Sequence, residues 1–394
     1  MNEVKSLISA CTQQVLEHRR WLHAHAEVSG KERETAAYIA KTLREMGLTP
    51  IEGVGGYGVV ALIEGTGAGK CIGLRADFDA LPVEETTGLP FASIHEGVMH
   101  ACGHDAHTAM LLGAAWVLTQ LRERFSGSVK LIFQPSEENN MDSGAKKMIA
   151  AGVLENPKVD AILGQHVWPQ GEVGTVLVRN GAMMAASDRF DITIHGKKSH
   201  GSAPETGVDA IVIAAEVVSL LQTIVSRKVG PLESAVITVG EVRGGSRYNI
   251  IADEVKMIGT CRTLASEVRD TIPAYIEKIV KGVTESMGGT YEFAYHKGYS
   301  PTVNHPEMFR LVCDTVEKTV GASALVVPER AALTAEDFSF FCEKVPSGYF
   351  WLGCQDENAP FYPLHSGDFT PSEEAFPVGM EVMISAALKF LGDA

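Results

Sequence analysis

Apolar positions within residues 31–47 fall on one stripe, Ala36, Ile39, Ala40, Leu43 and Met46, with Gly47 as a terminator, which predicts an amphipathic helix. Beyond it, short apolar runs alternate with helical ones. Val59 to Ile63, Cys71 to Ala76, Val129 to Phe133 and Ala161 to Gly164 read as strands, with helices over about 106–122 and 143–152 between them. This alternation predicts an α/β fold on a largely parallel sheet. The pattern changes near Gly181. Phe190, Ile192 and Ile194 alternate with Asp191, Thr193 and His195, and Glu254 to Arg262 alternates similarly, as strands with one wet face do. Helical patterns over Val208 to Val225 and about 268–285 accompany them, and after about residue 300 the earlier pattern resumes. The chain therefore reads as a discontinuous domain, 1–182 plus 299–394, interrupted by an α+β insertion, 183–298, joined through short hinges.

Composition then narrows the function classes. A chain of 394 residues with 45% hydrophobic and 21% charged content suits a soluble globular protein. Its 34 Lys and Arg against 49 Asp and Glu give a formal charge of −15, a field that opposes nucleic acid and anionic lipid. Seven scattered cysteines fit reduced thiols and predict a cytoplasmic protein. The N-terminal apolar stretch Leu7 to Cys11 is too short for a signal-peptide core. Ala109 to Leu118, read as the longest apolar run, is about half a membrane span, so no bilayer crossing is expected.

The densest chemistry is His100-Ala101-Cys102-Gly103-His104-Asp105-Ala106-His107, just ahead of a helical pattern. Grouped imidazoles and a thiol are poor core material and good ligands for Zn²⁺, Mn²⁺, Co²⁺ or Ni²⁺. His100 and His107 read equally as ligand neighbours or as plain loop and helix histidines. A second cluster, Gln134-Pro135-Ser136-Glu137-Glu138, places two carboxylates at the carboxyl edge of the sheet, where open α/β sheets hold ligands. Adjacent side chains point apart, so one can bind metal while the other moves protons. His166 follows a strand pattern and His365 sits in a late loop; each alone would pass as structural. Cys102, His104 and Glu138 leave a two-metal site short of ligands, however, and neutral imidazoles are the usual completion. Asp77 leaves the Cys71 strand at the same edge, placed to orient a ligand histidine or to cap a loop.

Eight stretches taken together, GLRADFDALP, MHACGHDAHT, FQPSEE, GQHVWP, GAMMAASD, GKKSHGSAPETGVDAI, AEDFSFF and PLHSGDF, resemble the M20 metallopeptidase family. The similarity is to its amidohydrolase branch of hippurate hydrolases, N-acyl-amino-acid aminoacylases and auxin-conjugate hydrolases. It spans about residues 15–392, and GAMMAASD and SHGSAPE look most like hippurate hydrolase. The resemblance implies a zinc-peptidase-like catalytic domain with an inserted lid domain that pairs two copies into a homodimer. It also implies two divalent ions on Cys102, His104, Glu138, His166 and His365, with Glu137 as general base and acid and Asp77 behind the ligands. On the lid, it implies that His200 stabilises the tetrahedral intermediate and that Asn249 and Arg262 hold the substrate carboxylate. Read from its strand alone, Arg262 could equally be a surface residue in a salt bridge. Asn139 to Asp142, where relatives commonly run to glycines, and Ala252, in place of a usual proline, depart from the pattern near the expected site.

The expected activity is hydrolysis of the amide of a small N-acyl amino acid to a carboxylic acid and a free amino acid. A peptidase requiring a free N-terminal amine and a non-catalytic metal-binding sensor stay open. A closed structural zinc site has no use for the Glu pair.

Overall fold

The computed structural model describes residues 2–392, and the chain forms two compact units, each with its own sheet and core. The first unit takes the stretch up to Met183, Val303–Arg330 and the chain from Asp337 onward. Its strands run in the order Ile51–Val54, Gly58–Glu64, Ser128–Gln134, Cys71–Asp77, Ala161–Glu172, Ser347–Gln355, Val176–Leu177 and Leu325–Val326. The third to sixth strands of that order are parallel to one another, and the strand bordering them on each side runs antiparallel to them. The sheet is thus largely parallel where it is most buried, as its unbroken apolar strands require. Ala161–Glu172 outruns the expected strand, which carries His166 inside a strand rather than at its end.

The helix His104–Gln120 packs on this sheet and is buried almost all round, which is why its sequence reads as an apolar run rather than a stripe. Gly113 lets it approach its neighbours: a Cβ there would lie 2.5 Å from Val15 Cγ2 and 2.6 Å from Met380 Sδ. The N-terminal helix Asn2–Ala24, absent from the elements that the sequence pattern predicts, carries Arg19 and His23 into the interior. Arg19 Nε donates to Asp105 Oδ2 at 2.9 Å, while its other nitrogens reach Glu373 and Thr370. His23 sits between Asp105 at 2.8 Å and Glu85 at 3.2 Å. Asp105, in the first turn of its helix, thereby has Oδ2 shared by Arg19 and His23, which ties the helix start next to His104 to the N-terminal helix.

The second unit takes Met184–Thr302 and Ala331–Glu336. The return of those last six residues lies outside the expected 183–298 segment. Its antiparallel sheet runs Thr290–Tyr299, Ser187–His195, Glu254–Thr263, Ala235–Gly244, with helices Ala210–Arg227 and Ser266–Ser286 sharing its core. Phe190, Ile192 and Ile194 point into that core, as their alternation requires. Gly259 is obligatory beside them, because a Cβ would fall 2.0 Å from Phe190 Cζ. The buried Asp188 carboxylate takes two charge-assisted bonds from Arg269, at 2.7 and 2.9 Å, plus Tyr295 Oη and the Gly298 amide. Ala210–Arg227, rather than Ala109 to Leu118, comes closest to a membrane span by length and apolarity. Its Ile213, Val217, Leu221 and Ile224 are nevertheless packed in this core.

His23 supplies a test of the first unit's clamp. Burial works against its charge, but the Asp105 carboxylate and the bonds to Asp105 and Glu85 outweigh it and push its pKa up to about 8. The folded pKa lies above the unfolded one of about 6.5, so the stabilisation is complete below that pH and disappears as pH rises through about 8. Thermal denaturation of wild type and His23→Gln should therefore differ by about 2 kcal/mol near pH 6 and converge by about pH 9. A difference that stays constant across that range would show that His23 is not charged in the folded protein.

Candidate metal centre

Two of the parallel strands, Cys71–Asp77 and Ser128–Gln134, end level with one another, Asp77 pairing with Gln134, and the loops beyond them gather the chemistry around the longer strand that carries His166. Cys102 precedes the helix start, which Gly103 makes possible by turning through a left-handed φ of 85°. Potential ligand atoms of Cys102, His104 and His166 lie within 4.8 Å of one another, and so do those of Cys102, Glu138 and His365. The two groups share Cys102. A third, His104, Glu137 and Glu138, ties them to the carboxylate pair. All five residues singled out as ligands are brought together.

Hydrogen bonds set the ring nitrogens. His104 Nδ1 donates to the Asp79 carbonyl at 2.9 Å, and its Nε2 is buried without a partner among the described residues. His166 Nδ1 donates to the Val167 carbonyl at 2.6 Å, leaving the Nε2 lone pair 3.3 Å from Cys102 Sγ. His365, itself at a φ of 66°, places Nε2 at 3.2 Å from Glu138 Oε1, an oxygen that accepts no hydrogen bond from the described residues. An unpartnered imidazole nitrogen and carboxylate oxygen, converging with a thiol that is paired to a second imidazole, make the donor set that divalent ions of borderline softness need.

Electrostatics point the same way. Burial, then the charges of Glu138, Glu137 and Asp77, push the Cys102 thiol up, and a bound cation is what reverses that preference toward the thiolate. Burial lowers His104, but Asp77, Asp79 and Glu138 prevail and raise it to about 10, so without an ion this anionic field draws a proton to Nε2, which a metal cation would displace. Burial, seconded by His107, holds His166 low and therefore neutral. The pocket carries more acid than Arg75 and a charged His104 neutralise, and divalent cations would complete the balance.

The supporting residues are partly other than expected. Asp77 orients His107 rather than a ligand histidine: Oδ1 takes the His107 Nδ1 proton at 2.6 Å and Oδ2 the Arg75 guanidinium at 2.6 Å, whereas His104 Nε2 stands 3.8 Å away. His107 Nε2 accepts the Val167 amide at 2.9 Å, so both its nitrogens are committed and it serves as a neighbour of the ligands. His100 is buried with neither ring nitrogen partnered among the described residues, and it belongs to none of the three groups.

Two acids carry roles that the sequence reading leaves out. Asp79, inside the DFDALP stretch, accepts the backbone amides of Glu137 and Glu138, each at 2.9 Å. Asp337, inside AEDFSFF, binds Arg75, Gln134 and Ser143 through its carboxylate, and its amide donates to Glu137 Oε1 at 3.2 Å. Their motifs mark the stretches but not the roles.

His200, Asn249 and Arg262 belong to the second unit. There the Gly201 amide donates to the Asn249 carbonyl at 2.9 Å, which sets His200 beside Asn249. His200 is exposed and its Nδ1 accepts from Ser202, while Asn249 Oδ1 is buried without a partner among the described residues. Arg262 is half-buried, bonded to Thr260 Oγ1 and its neighbour's carbonyl, and makes no ion pair among the described residues.

The peptidase family M20/M25/M40 profile matches residues 73–389. The chain belongs to that family. It is 43% identical over 305 residues, 77% of this chain and 82% of the other, to an N-acyl-L-amino acid amidohydrolase of Geobacillus stearothermophilus. It is 39% identical over 393 residues, 99% and 98% of the two chains, to thermostable carboxypeptidase 1 of Saccharolobus solfataricus. Among solved structures, the Bacillus subtilis YXEP protein, described as a dinuclear metal-binding peptidase from the M20 family, superposes with a TM-score of 0.84 at 34% identity. That match covers 98% of this chain and all of that one.

The committed nitrogens of His107 separate it from the ligands. His107→Gln should keep the metal stoichiometry while weakening affinity by roughly 10- to 100-fold, and Cys102→Ser should lose metal outright. Metal analysis after dialysis measures both. Full metal retention in Cys102→Ser, or stoichiometric loss in His107→Gln, would reverse the two assignments.

Proposed function

We propose that this M20 hydrolase is a metal-dependent amidohydrolase that cleaves N-acyl amino acids, aroyl ones such as hippurate included, to a carboxylic acid and a free amino acid. The observation that carries the reading is the pair of ligand groups sharing Cys102, with Glu137 alongside. Two divalent ions of the Zn, Mn, Co or Ni type, held by Cys102, His104, Glu138, His166 and His365, would supply Lewis acidity to the amide carbonyl and bring the pKa of a water toward neutrality. Glu137 takes the proton of the attacking water and returns it to the leaving amine. Its fixed orientation suits that proton transfer, because the backbone is tied to Asp79 and one carboxylate oxygen to the Asp337 amide. His200 as oxyanion donor, and Asn249 with Arg262 as partners of the substrate carboxylate, complete the proposal; a guanidinium fork matches a carboxylate bidentately.

The homodimer belongs to the proposal too. Ala235–Gly244 is an edge strand, and Ile211, Ala214, Ala215, Val218, Val242 and Val255 form an apolar groove alongside it, a surface suited to pairing with a second copy. A reducing compartment such as the cytoplasm suits Cys102, which binds metal only unoxidised.

Similarity to a carboxypeptidase favours a second reading, in which the scissile amide is a peptide bond and the anchored carboxylate is the C-terminus. One assay set separates them: N-benzoylglycine, its C-terminal amide, and dipeptides with a free amine. The main reading expects the N-acyl acid to exceed its amide in kcat/KM by about one to two decades, the equivalent of roughly 1.5–3 kcal/mol for a charge-assisted bond. Glu137→Gln should keep metal and lose at least about 10² in kcat, whereas Glu138→Ala should shed metal. Equal rates on acid and amide, or faster cleavage of the free dipeptides, would move the assignment to the peptidase reading.

A further inference from the structure

The loop that carries the glutamate pair contains a backbone outlier. Ser136 has a φ of 54°, the left-handed region that residues with a Cβ avoid, and it is 4% exposed. Such a conformation persists only where its surroundings enforce it. The enforcing group is Glu32, fully buried, from a segment 104 residues upstream: its Oε1 accepts both the Ser136 amide at 2.8 Å and the Ser136 hydroxyl at 2.9 Å.

Glu32 is itself braced. It immediately precedes the helix Arg33–Glu45, whose first turn is pinned by Glu27 through the amides of Glu34 and Thr35. Its second oxygen, Oε2, is buried and accepts nothing from the described residues. A carboxylate kept in the interior with half its acceptors unused is a poor choice for packing, which an apolar side chain would serve better. Three consecutive amides are then held by buried carboxylates: Ser136 by Glu32, and Glu137 and Glu138 by Asp79.

We propose that Glu32 is a positioning residue that locks Ser136 in its left-handed turn and so aims Glu137 and Glu138 in their separate directions. The inference rests on the roles proposed above for those two glutamates. Glu32 touches neither of them. It acts through the backbone that carries both.

The test is a mutant cycle with two readouts, Co²⁺ affinity of the chelated protein by calorimetry and kcat on N-benzoylglycine. Glu32→Ala should weaken Co²⁺ binding by roughly tenfold, the usual effect of removing a group that supports a ligand, and should lower kcat at little change in KM. Glu32→Gln, which still offers a carbonyl oxygen to Ser136, should retain most of both. In a Ser136→Gly background, where the left-handed turn needs no enforcement, Glu32→Ala should cost clearly less than in wild type. The proposal is overturned if Gln fails as badly as Ala, if the Ala penalty carries unchanged onto Ser136→Gly, or if affinity and kcat both survive Glu32→Ala. Should Glu32→Ala not fold, Glu32→Asp, which withdraws the oxygen by one methylene, takes its place with the same outcomes. If wild type hydrolyses no N-acyl amino acid, the functional reading fails while the Co²⁺ cycle still judges the clamp.

Discussion

Buried negative charge is the constraint around which the first unit is built. Asp77, Asp79, Glu137 and Asp337 lie at the carboxyl end of the parallel strands with 5% exposure or less, and Glu138 stands beside them. Carboxylates removed from water demand compensation, since an unpaired buried charge costs several kcal/mol. The fold supplies it in three forms: fixed backbone amides, the Arg75 guanidinium between Asp77 and Asp337, and the histidines in the first turn of the helix that follows Cys102. Divalent ions would be the fourth contribution, and the unpartnered His104 Nε2 and Glu138 Oε1 mark where they would be held.

This arrangement divides labour among chemically similar residues. His104 and His107 are one helical turn apart, yet one donates its Nδ1 proton to a backbone carbonyl and keeps Nε2 open, while the other is closed by Asp77 and the Val167 amide. Glu137 and Glu138 are adjacent, yet one is tied to Asp337 and the other faces His365. In the proposed mechanism, environment rather than residue type decides which side chain would bind a metal and which would move a proton.

Much of this is legible in the sequence because the signals are dense. A thiol and three histidines within eight residues are incompatible with an apolar core, and apolar alternation distinguishes the two kinds of strand. Strand order is not legible, since parallel strands of similar Val, Ile and Leu content are interchangeable until their crossovers are seen. Neither is the return of Ala331–Glu336 to the second unit, a short stretch with no periodicity of its own. Asp79, Asp337 and Glu32 escape notice for one reason: an acid close to another acid in a sequence reads as solvated surface, and only the fold shows it buried against backbone amides or a guanidinium. Asp77 stands out, but the histidine it orients cannot be read from spacing, because His104 and His107 lie on the same face of their helix.

On the proposed assignment, this anionic pocket holds two divalent ions and leaves Glu137 free of both. Anomalous diffraction from crystals grown with Mn²⁺ or Zn²⁺ tests it most directly. The expected result is two metal peaks per chain, contacted by Cys102, His104, Glu138, His166 and His365, with the Glu137 carboxylate outside both coordination spheres. A single peak, or Glu137 bound directly to a metal, would contradict it.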